Sequence, residues 1–228
     1  MGFNMNKILV VEDEDILREV IIDYLIEDGY QALEAADGET ALELFQSNSV
    51  DLVILDIVLP KLDGWSVCRR IRKNSSIPII ILTARSDEDD SLLGYELGAD
   101  DYLIKPYSPR VLMAKVKRFL EKYSGTVDGM LISAGGIVIN RGSRLVSVDG
   151  NTINLTHTEF EILAYLMQNK GTVITREQLI AKIWGYNFYG DEKTVNSHIR
   201  NLRAKLGSKG ACIVTVIRSG YKFEEERL

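Results

Sequence analysis

Cysteine, histidine and proline are scarce in this chain of 228 residues, which contains two Cys, two His and four Pro. Two distant cysteines cannot staple a small secreted scaffold, and the two histidines do not join them in the spacing of a structural zinc site. The apolar runs are all shorter than the ~18 residues that a membrane span requires. We therefore expect a cytoplasmic protein with no signal peptide and no contact with a membrane.

Charge is distributed unevenly along the chain. Residues 1–123 contain 14 basic and 23 acidic side chains, a net charge of −9, whereas residues 124–228 contain 13 and 10, a net charge of +3. Between Lys193 and Lys222 there are seven basic residues and no acidic ones. A concentrated basic segment favours a polyanion such as nucleic acid, although a charged run can equally be a solvated helix face.

Apolar strand-like runs alternate with amphipathic helix patterns from residue 7 to residue 121. Short continuous runs such as Leu52–Leu55 and Ile79–Leu82 are typical of parallel strands that are covered on both faces. Five helix patterns separate and follow the strands, the fourth of them marked by Leu92, Leu93 and Leu97. Residues 1–122 are therefore predicted to form an α/β domain, with a five-stranded, doubly wound parallel sheet of the flavodoxin-like kind.

The pattern of elements changes after a short polar stretch, residues 123–129, which we interpret as a linker. Short alternating strands follow, with a hairpin signal at Val148–Asn151. Capping boxes that begin at Thr156 and Thr175 each open a helix. A third helix is predicted over 194–206, and a terminal hairpin follows it. This order predicts an α+β winged helix-turn-helix domain over residues 130–228.

Three carboxylates, a hydroxyl and an ammonium group follow the predicted strands at the edge of the sheet where open α/β domains bind ligands. They belong to Glu12, Asp13, Asp56, Thr83 and Lys105. Mg²⁺ prefers such oxygen ligands, an aspartate can act as a nucleophile, and a metal ion with a lysine would neutralise a phosphoryl group in transfer. Each acid alone could be an ordinary helix cap, but the five together favour a phosphoryl-transfer site.

These residues lie in motifs that resemble those of a two-component receiver domain. The motifs are Val10-Val11-Glu12-Asp13-Glu14, Leu55-Asp56-Ile57-Val58-Leu59-Pro60, Asp63-Gly64, Leu82-Thr83-Ala84-Arg85 and Asp101-Tyr102-Leu103-Ile104-Lys105-Pro106. Segments 155–160 and 194–206 resemble the effector domain of the OmpR/PhoB family. The resemblance covers the chain from about Lys7 to Phe223, and it implies a DNA-binding transcriptional regulator that phosphorylation controls.

The resemblance implies a role for each acidic residue that matches the receiver motifs. Asp56 is the implied phosphoacceptor. Asp13 is the implied direct Mg²⁺ ligand, Glu12 acts mostly through water, and Val58 offers its backbone carbonyl. The implied phosphoryl donor is a phosphohistidine on a sensor histidine kinase. We therefore expect no enzyme activity beyond Mg²⁺-dependent self-phosphorylation and autodephosphorylation.

The resemblance also implies a conformational switch next to the phosphoacceptor. Thr83 and Tyr102 match the switch pair, in which the hydroxyl of Thr83 approaches the phosphate and the ring of Tyr102 turns into the vacated space. Without the resemblance, Tyr102 would be interpreted as an aromatic residue packed in its strand. Lys105 matches the lysine that binds the phosphate, and the peptide bond between Lys105 and Pro106 is expected to be cis.

A homodimer that forms on phosphorylation is a further implication of the resemblance. Its face comprises the fourth helix pattern, the fifth strand and the fifth helix pattern. Charged residues available there are Asp100, Asp101, Lys115, Lys117 and Arg118. Ser91 and Leu93 stand where basic residues are usual, and Val111 stands where an acid is usual, so the dimer is expected to rely more on apolar contact or to be weaker.

We expect the third helix of the second domain to enter the major groove of promoter DNA, since its polar residues are of the types that contact base edges and phosphates. The candidate contacts, including two in the terminal hairpin, are Lys193, Thr194, Asn196, Ser197, His198, Arg200, Asn201, Arg203, Arg218 and Lys222. His198 could equally be a packed neutral side chain. Ile217 and Arg218 stand where members of the resembled family commonly have an Arg-Gly pair, so the role of Arg218 is open. In the family that the chain resembles, the loop at 184–190 often faces RNA polymerase, but its aromatic residues could equally pack internally.

Two other functions remain as alternatives. A haloacid dehalogenase-type phosphatase also uses an aspartyl nucleophile, but it needs a second aspartate two residues further on, where this chain has Val58. A constitutive DNA-binding protein would use the first domain for dimerisation only, and the complete acidic set argues against that function.

Overall fold

The computed structural model describes residues 5–84, 97–120, 131–185 and 192–225 of the chain. The chain divides into two compact units, Met1–Glu121 and Lys122–Leu228. The predicted linker at 123–129 lies outside the described residues.

The first unit is built on a five-stranded parallel sheet. Its strands are β1 (Lys7–Val11), β2 (Gln31–Ala35), β3 (Leu52–Asp56), β4 (Ile79–Thr83) and β5 (Asp101–Ile104), in the order β2-β1-β3-β4-β5. Every residue of β3 and β4 is buried, which explains their continuous apolar sequences. The strand order reverses between β1 and β3, and ligands of open α/β sheets bind beyond the carboxyl ends of the strands at such a point. The predicted α/β fold is confirmed.

Four described helices accompany this sheet: α1 (Asp15–Glu27), α2 (Gly38–Ser47), α3 (Gly64–Arg72) and α4 (Pro109–Leu120). Apolar residues of α1 and α4, such as Ile21 and Val116, share one buried cluster with Ile8 and Ile54 of the sheet. Helix α4 corresponds to the fifth helix pattern of the sequence. Leu92 and Leu93 of the fourth pattern lie outside the described residues.

The second unit begins with a four-stranded antiparallel sheet and continues with helices and a second small sheet. Its elements are β6 (Leu131–Ala134), β7 (Ile137–Asn140), β8 (Leu145–Val148), β9 (Asn151–Ile153), α5 (His157–Gln168), β10 (Ile174–Thr175), α6 (Arg176–Ile183), α7 (Glu192–Leu206), a 3-10 helix (Gly207–Cys212), β11 (Ile213–Val216) and β12 (Gly220–Phe223). The strands β10, β12 and β11 form the small sheet in that order. The predicted winged-helix architecture is confirmed.

Both predicted capping boxes are present in the second unit. The hydroxyl of Thr156 accepts a hydrogen bond from the Glu159 N–H, and the Glu159 carboxylate accepts one from the Thr156 N–H. Thr175 and Gln178 form the same reciprocal pair at the start of α6. These contacts satisfy helix N–H groups that have no partner within the helix. They fix where α5 and α6 begin.

The two-residue strand β10 depends on a glycine in β12. A Cβ atom at Gly220 would lie 2.1 Å from the carbonyl oxygen of Ile174, so no other residue fits without movement of the backbone. Ile174 pairs with Tyr221, and Thr175 pairs with Gly220. The hairpin β11–β12 is thereby attached to the start of α6.

Both cysteines, Cys68 and Cys212, are free and buried. Among the described residues, no helix has the length and apolar character that crossing a membrane would require.

Candidate functional site

Glu12, Asp13 and Asp56 come together at the carboxyl edge of the first sheet, as predicted. One carboxylate oxygen from each residue lies within 4.8 Å of the others. Glu12 and Asp56 are buried, at 0% and 4% exposure, whereas Asp13 is exposed. Two fixed, desolvated carboxylates and one accessible carboxylate, all offering oxygen, fit a hard divalent cation such as Mg²⁺.

The ammonium group of Lys105 bridges the two buried acids. Its Nζ lies 2.7 Å from Glu12 Oε2 and 2.6 Å from Asp56 Oδ2. The backbone holds Lys105 at the end of β5, where its N–H donates to the Thr83 carbonyl over 2.7 Å. The peptide bond to Pro106 is cis, as the family resemblance predicted. Lys105 therefore lies within hydrogen-bond distance of the Asp56 carboxylate and of the Glu12 carboxylate at once.

Burial and charge both shift the titration of this cluster. Burial raises the pKa of Glu12 to about 7, the hydrogen bond from Lys105 opposes that shift, and the charge of Asp56 adds to it. Burial disfavours the ammonium form of Lys105, but its hydrogen bonds to Asp56 and Glu12 outweigh burial and raise its pKa. Three carboxylates face one ammonium group, so further positive charge would stabilise the site.

The predicted switch residues lie in the two strands beyond Asp56. Thr83 ends β4 and is 2% exposed, and its neighbour Leu82 is paired with Asp56 in the sheet. Tyr102 in β5 is 7% exposed, and its ring centroid lies 6.2 Å from that of Trp65. In this state Tyr102 is a packed aromatic residue at the second position of β5, whereas Thr83 lies at the carboxyl edge of the sheet.

The loop after β3 is held by close contacts of its backbone. The Val58 N–H donates to Asp56 Oδ1 over 3.0 Å, which orients the carboxylate. A Cβ atom at Gly64 would lie 2.1 Å from the carbonyl oxygen of Asp56, and one at Gly38 would lie 2.1 Å from that of Leu62. The Asp-Gly motif therefore has a packing role beside the acidic site, and Gly38 is a supporting residue that the sequence analysis did not identify.

A lysine with left-handed backbone conformation also anchors this loop. Lys61 has φ 63°, and its Nζ lies 2.7 Å from Asp37 Oδ2. The other oxygen of Asp37 accepts hydrogen bonds from the N–H groups of Glu39 and Thr40 at the start of α2. The pair therefore links the loop that follows Asp56 to the first turn of α2.

The acids assigned to the dimer face are satisfied within one chain. Asp100 and Asp101 are both 0% exposed. The guanidinium of Arg72 lies 2.7 Å from Asp100, whereas Lys115 and Arg118 lie 2.7 Å and 2.6 Å from Asp101. Val111 is exposed, and Leu93 lies outside the described residues.

Helix α7 exposes only some of the residues predicted to contact nucleic acid. Lys193, Asn196 and Arg200 are exposed and follow one another at helical spacing. Asn201 is half-buried, and three further candidates are buried, namely Thr194, Ser197 and His198. The centroid of the His198 ring lies 5.4 Å from that of Trp184, which agrees with the interpretation of His198 as a packed side chain.

Arg203 is occupied within the second unit. Its Nε and one terminal nitrogen donate to the Ile213 carbonyl over 3.1 and 2.5 Å, and the same terminal nitrogen donates to the Thr215 hydroxyl over 2.8 Å. These bonds attach α7 to β11, so Arg203 has a structural role whether or not it also contacts a ligand.

The β11–β12 hairpin exposes an apolar residue and a basic residue at its tip. Ile217 is 82% exposed, and Arg218 is exposed with φ 61°, at the third position of a turn closed by the Ser219 N–H on the Val216 carbonyl. Glycine is favoured at such a position. Lys222 is half-buried and pairs with Glu224 at 2.5 Å.

Comparison with known proteins agrees with this arrangement. Residues 8–117 match the family model for the response regulator receiver domain, and residues 150–223 match that for the C-terminal domain of transcriptional regulatory proteins. The chain is 42% identical to the transcriptional regulatory protein YclJ of Bacillus subtilis over 96% of its own length and 100% of the relative. It is also 42% identical to the sensory transduction protein RegX3 of Mycobacterium tuberculosis, with the same coverage of each chain.

Among solved structures, the response regulator DrrB of Thermotoga maritima, described as an OmpR/PhoB homologue, is similar to this chain. The two share 32% identity with a TM-score of 0.53, over 96% of this chain and 99% of DrrB.

Proposed function

Because the chain belongs to the OmpR/PhoB family of two-component response regulators, which act as transcription factors, we propose that Asp56 is its phosphoacceptor and α7 its DNA-recognition helix. The observation that supports the first assignment best is the bridge from Lys105 to Asp56 and Glu12, next to the accessible carboxylate of Asp13. The receiver domain implies a kinase as partner, and the C-terminal domain implies DNA. The proposed kinase is a sensor histidine kinase.

The proposed reaction transfers a phosphoryl group from a phosphohistidine to Asp56. A carboxylate oxygen of Asp56 attacks phosphorus, the P–N bond breaks, and the electron pair of that bond returns to the leaving imidazole. Lys105 donates to the oxygens of the group in transfer and to the aspartyl phosphate. The Val58 N–H holds the second carboxylate oxygen in place. Water later hydrolyses the acyl phosphate and regenerates the Asp56 carboxylate. The proposed chemistry of the protein is therefore its own phosphorylation and dephosphorylation.

Glu12, Asp13, Asp56 and the Val58 carbonyl are the proposed Mg²⁺ ligands. The bound ion would supply the positive charge that the phosphoryl oxygens need during transfer. The fit rests on the oxygen-only donors and on the excess of three carboxylates over one ammonium group.

Phosphorylation adds about −1.5 to −2 of charge and three acceptor oxygens at Asp56. Thr83, next to the strand position paired with Asp56, is the proposed hydrogen-bond donor to the phosphate. Its movement would open space for Tyr102, which β-sheet pairing holds beside Ile81. The face that includes β5 and α4 is then biased between two states, and the proposed result is a homodimer that binds promoter DNA in the cytoplasm and contacts RNA polymerase.

Incubation of the full chain with Mg²⁺ and acetyl phosphate tests the phosphoacceptor assignment. Intact mass is expected to rise by one phosphoryl group in the wild type and in Asp23→Asn, a matched control on the exposed side of α1. Asp56→Asn is expected to show no increase, because an amide is not a nucleophile for phosphorus under these conditions. Incorporation that survives Asp56→Asn, or that is independent of Mg²⁺, would contradict the proposal.

A second measurement separates the controlled regulator from the constitutive DNA-binding protein. DNA affinity is measured by electrophoretic mobility shift before and after phosphorylation. We expect the phosphorylated wild type to bind DNA more tightly than the unphosphorylated protein, and Asp56→Asn to show no increase in affinity after the same treatment. Equal affinity of the two wild-type forms would favour the constitutive function.

A further inference from the structure

Asn196 lies at the middle of the exposed stripe of α7, between Lys193 and Arg200. Its carboxamide oxygen accepts two hydrogen bonds from outside the helix. Arg176 Nε donates to Oδ1 over 3.0 Å, and the Tyr221 hydroxyl donates to the same atom over 2.7 Å. Both lone pairs of this oxygen are therefore occupied within the second unit.

The chemistry of Arg176 fixes which end of the carboxamide faces inwards. A guanidinium group has only donors, so the atom beside it must be the oxygen and cannot be the NH₂ group. Arg176 is itself held by Tyr221, because its guanidinium carbon lies 5.0 Å from the centre of that ring. Tyr221 is buried, with 4% exposure, so the two donors form a fixed support under Asn196.

We infer that Asn196 recognises DNA only as a hydrogen-bond donor, and that it specifies guanine rather than adenine in the major groove. The inference rests on the proposed function, in which α7 enters that groove. An asparagine that recognises adenine needs its oxygen for the adenine N6 amino group, and the contacts of Arg176 and Tyr221 remove that oxygen. The outward NH₂ group has two hydrogens, which match the paired acceptors O6 and N7 of guanine.

Selection of DNA from a random library, with phosphorylated full-length wild type and Asn196→Asp, tests this inference. Aspartate has the same shape, and one of its oxygens can keep both contacts with Arg176 and Tyr221. Its other oxygen replaces the outward donor with an acceptor. The readout is the relative base preference at each position, because the added negative charge weakens binding to all sequences alike.

The expected wild-type result is a guanine at one position whose preference disappears, or changes to cytosine, in Asn196→Asp. The amino group of cytosine is the donor that an outward oxygen would accept. Discrimination at that position is expected to fall by roughly 5- to 150-fold, while the other positions keep their preferences. A wild type that selects adenine at the altered position would overturn the inference, as would a variant with unchanged selection.

A second measurement keeps the inference testable if Asn196→Asp does not fold or bind. Wild type is titrated with its selected duplex and with duplexes that carry 7-deazaguanine at each guanine in turn. Loss of N7 is expected to weaken binding at a guanine contacted by Asn196, and Asn196→Ala is expected to be insensitive to that one substitution. Equal sensitivity of the two proteins at every guanine would overturn the inference. A wild type without sequence preference would instead overturn the proposed function, and with it this deduction.

Discussion

At the scale of single residues, the contact between Lys61 and Asp37 predicts a measurable titration. The hydrogen bond from Lys61, together with that from the Thr40 N–H, lowers the pKa of Asp37 from 3.8 to about 2. A lowered pKa means that the folded state binds this proton less readily than the unfolded state. The contribution to stability is therefore complete above about pH 4 and is lost as the pH falls through about 2.

Lys61→Met is expected to raise the pKa of Asp37 towards its ordinary value, because the ammonium group that stabilises the carboxylate is gone. The rise stays incomplete, since the hydrogen bond from the Thr40 N–H remains. Carboxyl ¹³C shifts followed from pH 6 to pH 2 measure this directly. Lys73→Met, another exposed lysine of the first unit, serves as the control and should leave the Asp37 titration unchanged. An unmoved midpoint in Lys61→Met would show that Lys61 does not stabilise the carboxylate in solution.

Residue types at strand ends made the acidic site predictable, whereas side-chain partners were not predictable. Asp13, Asp56 and Lys105 come together because parallel strands end at one edge, a property of topology that the sequence pattern contains. The burial of His198 depends on packing against Trp184, which a single helix pattern cannot reveal. The sequence assigns Asp100 and Asp101 to the dimer face, but both are buried and pair within the chain with residues 14 to 28 positions away.

At the scale of elements, Arg72 connects the end of α3 to the segment that enters β5. Its Nε donates to the Gly98 carbonyl over 2.7 Å, a terminal nitrogen donates to the Ile77 carbonyl over 2.6 Å, and the other pairs with Asp100. Removal of the side chain leaves a buried carboxylate and two carbonyls without these donors. Arg72→Ala is therefore expected to lower the free energy of unfolding of the first unit by ~3–5 kcal/mol.

Urea unfolding followed by Trp65 fluorescence, in a Trp184→Phe background, measures this loss in the first unit. Arg69→Ala, an exposed arginine on the same helix, is expected to change stability by at most ~0.5 kcal/mol. If the two variants had equal stability, the contacts of Arg72 would contribute nothing beyond those of a surface residue.

Two arginines of helix α7 are expected to have different roles, Arg200 in DNA binding and Arg203 in the stability of the second unit. Arg200 is exposed, and Arg200→Ala is expected to weaken DNA binding and to lower the thermal midpoint less than Arg203→Ala does. If Arg200 contacts a phosphate, the slope of log affinity against log salt should flatten by about one unit. Arg203→Ala removes the bonds to Ile213 and Thr215, so it is expected to lower the midpoint of the second unit by several degrees.

Fluorescence anisotropy at several salt concentrations, with calorimetry of each variant, distinguishes the two arginines. An Arg200→Ala protein that binds as tightly as wild type would exclude α7 as the recognition helix. An Arg203→Ala protein with an unchanged thermal midpoint would show that its bonds to β11 are dispensable.

Long or strongly patterned elements were predictable, and short elements with distant partners were not. The predicted strands Leu52–Leu55 and Ile79–Leu82 agree with β3 and β4 within one residue at each end, because buried parallel strands have continuous apolar sequences. Both capping boxes located α5 and α6. The two residues of β10 show no periodicity, and their strand exists only because Gly220 lets the two backbones approach.

At the scale of the whole molecule, the location of charge predicts how two phosphorylated copies associate. Asp100 and Asp101 are buried against cations of their own chain, so they are not available to pair with a second copy. Ser91, Leu93 and Val111 stand where family members usually have charged residues, and Val111 is 38% exposed. The proposed dimer therefore contains fewer ion pairs between the two copies, and apolar contact at Val111 contributes more of its stability.

The association constant of the phosphorylated dimer is accordingly expected to change little between 0.05 and 0.5 M NaCl. Screening of one exposed ion pair worth ~1 kcal/mol would change it roughly fivefold, and the expected change is smaller. Val111→Asp is expected to weaken the dimer, because the new carboxylate would lose its hydration in an apolar contact. Val138→Asp is the matched control, since Val138 is also 38% exposed but belongs to the second unit. Sedimentation equilibrium measures all three proteins, and a dimer that dissociates at high salt yet tolerates Val111→Asp would place its stability in ion pairs instead.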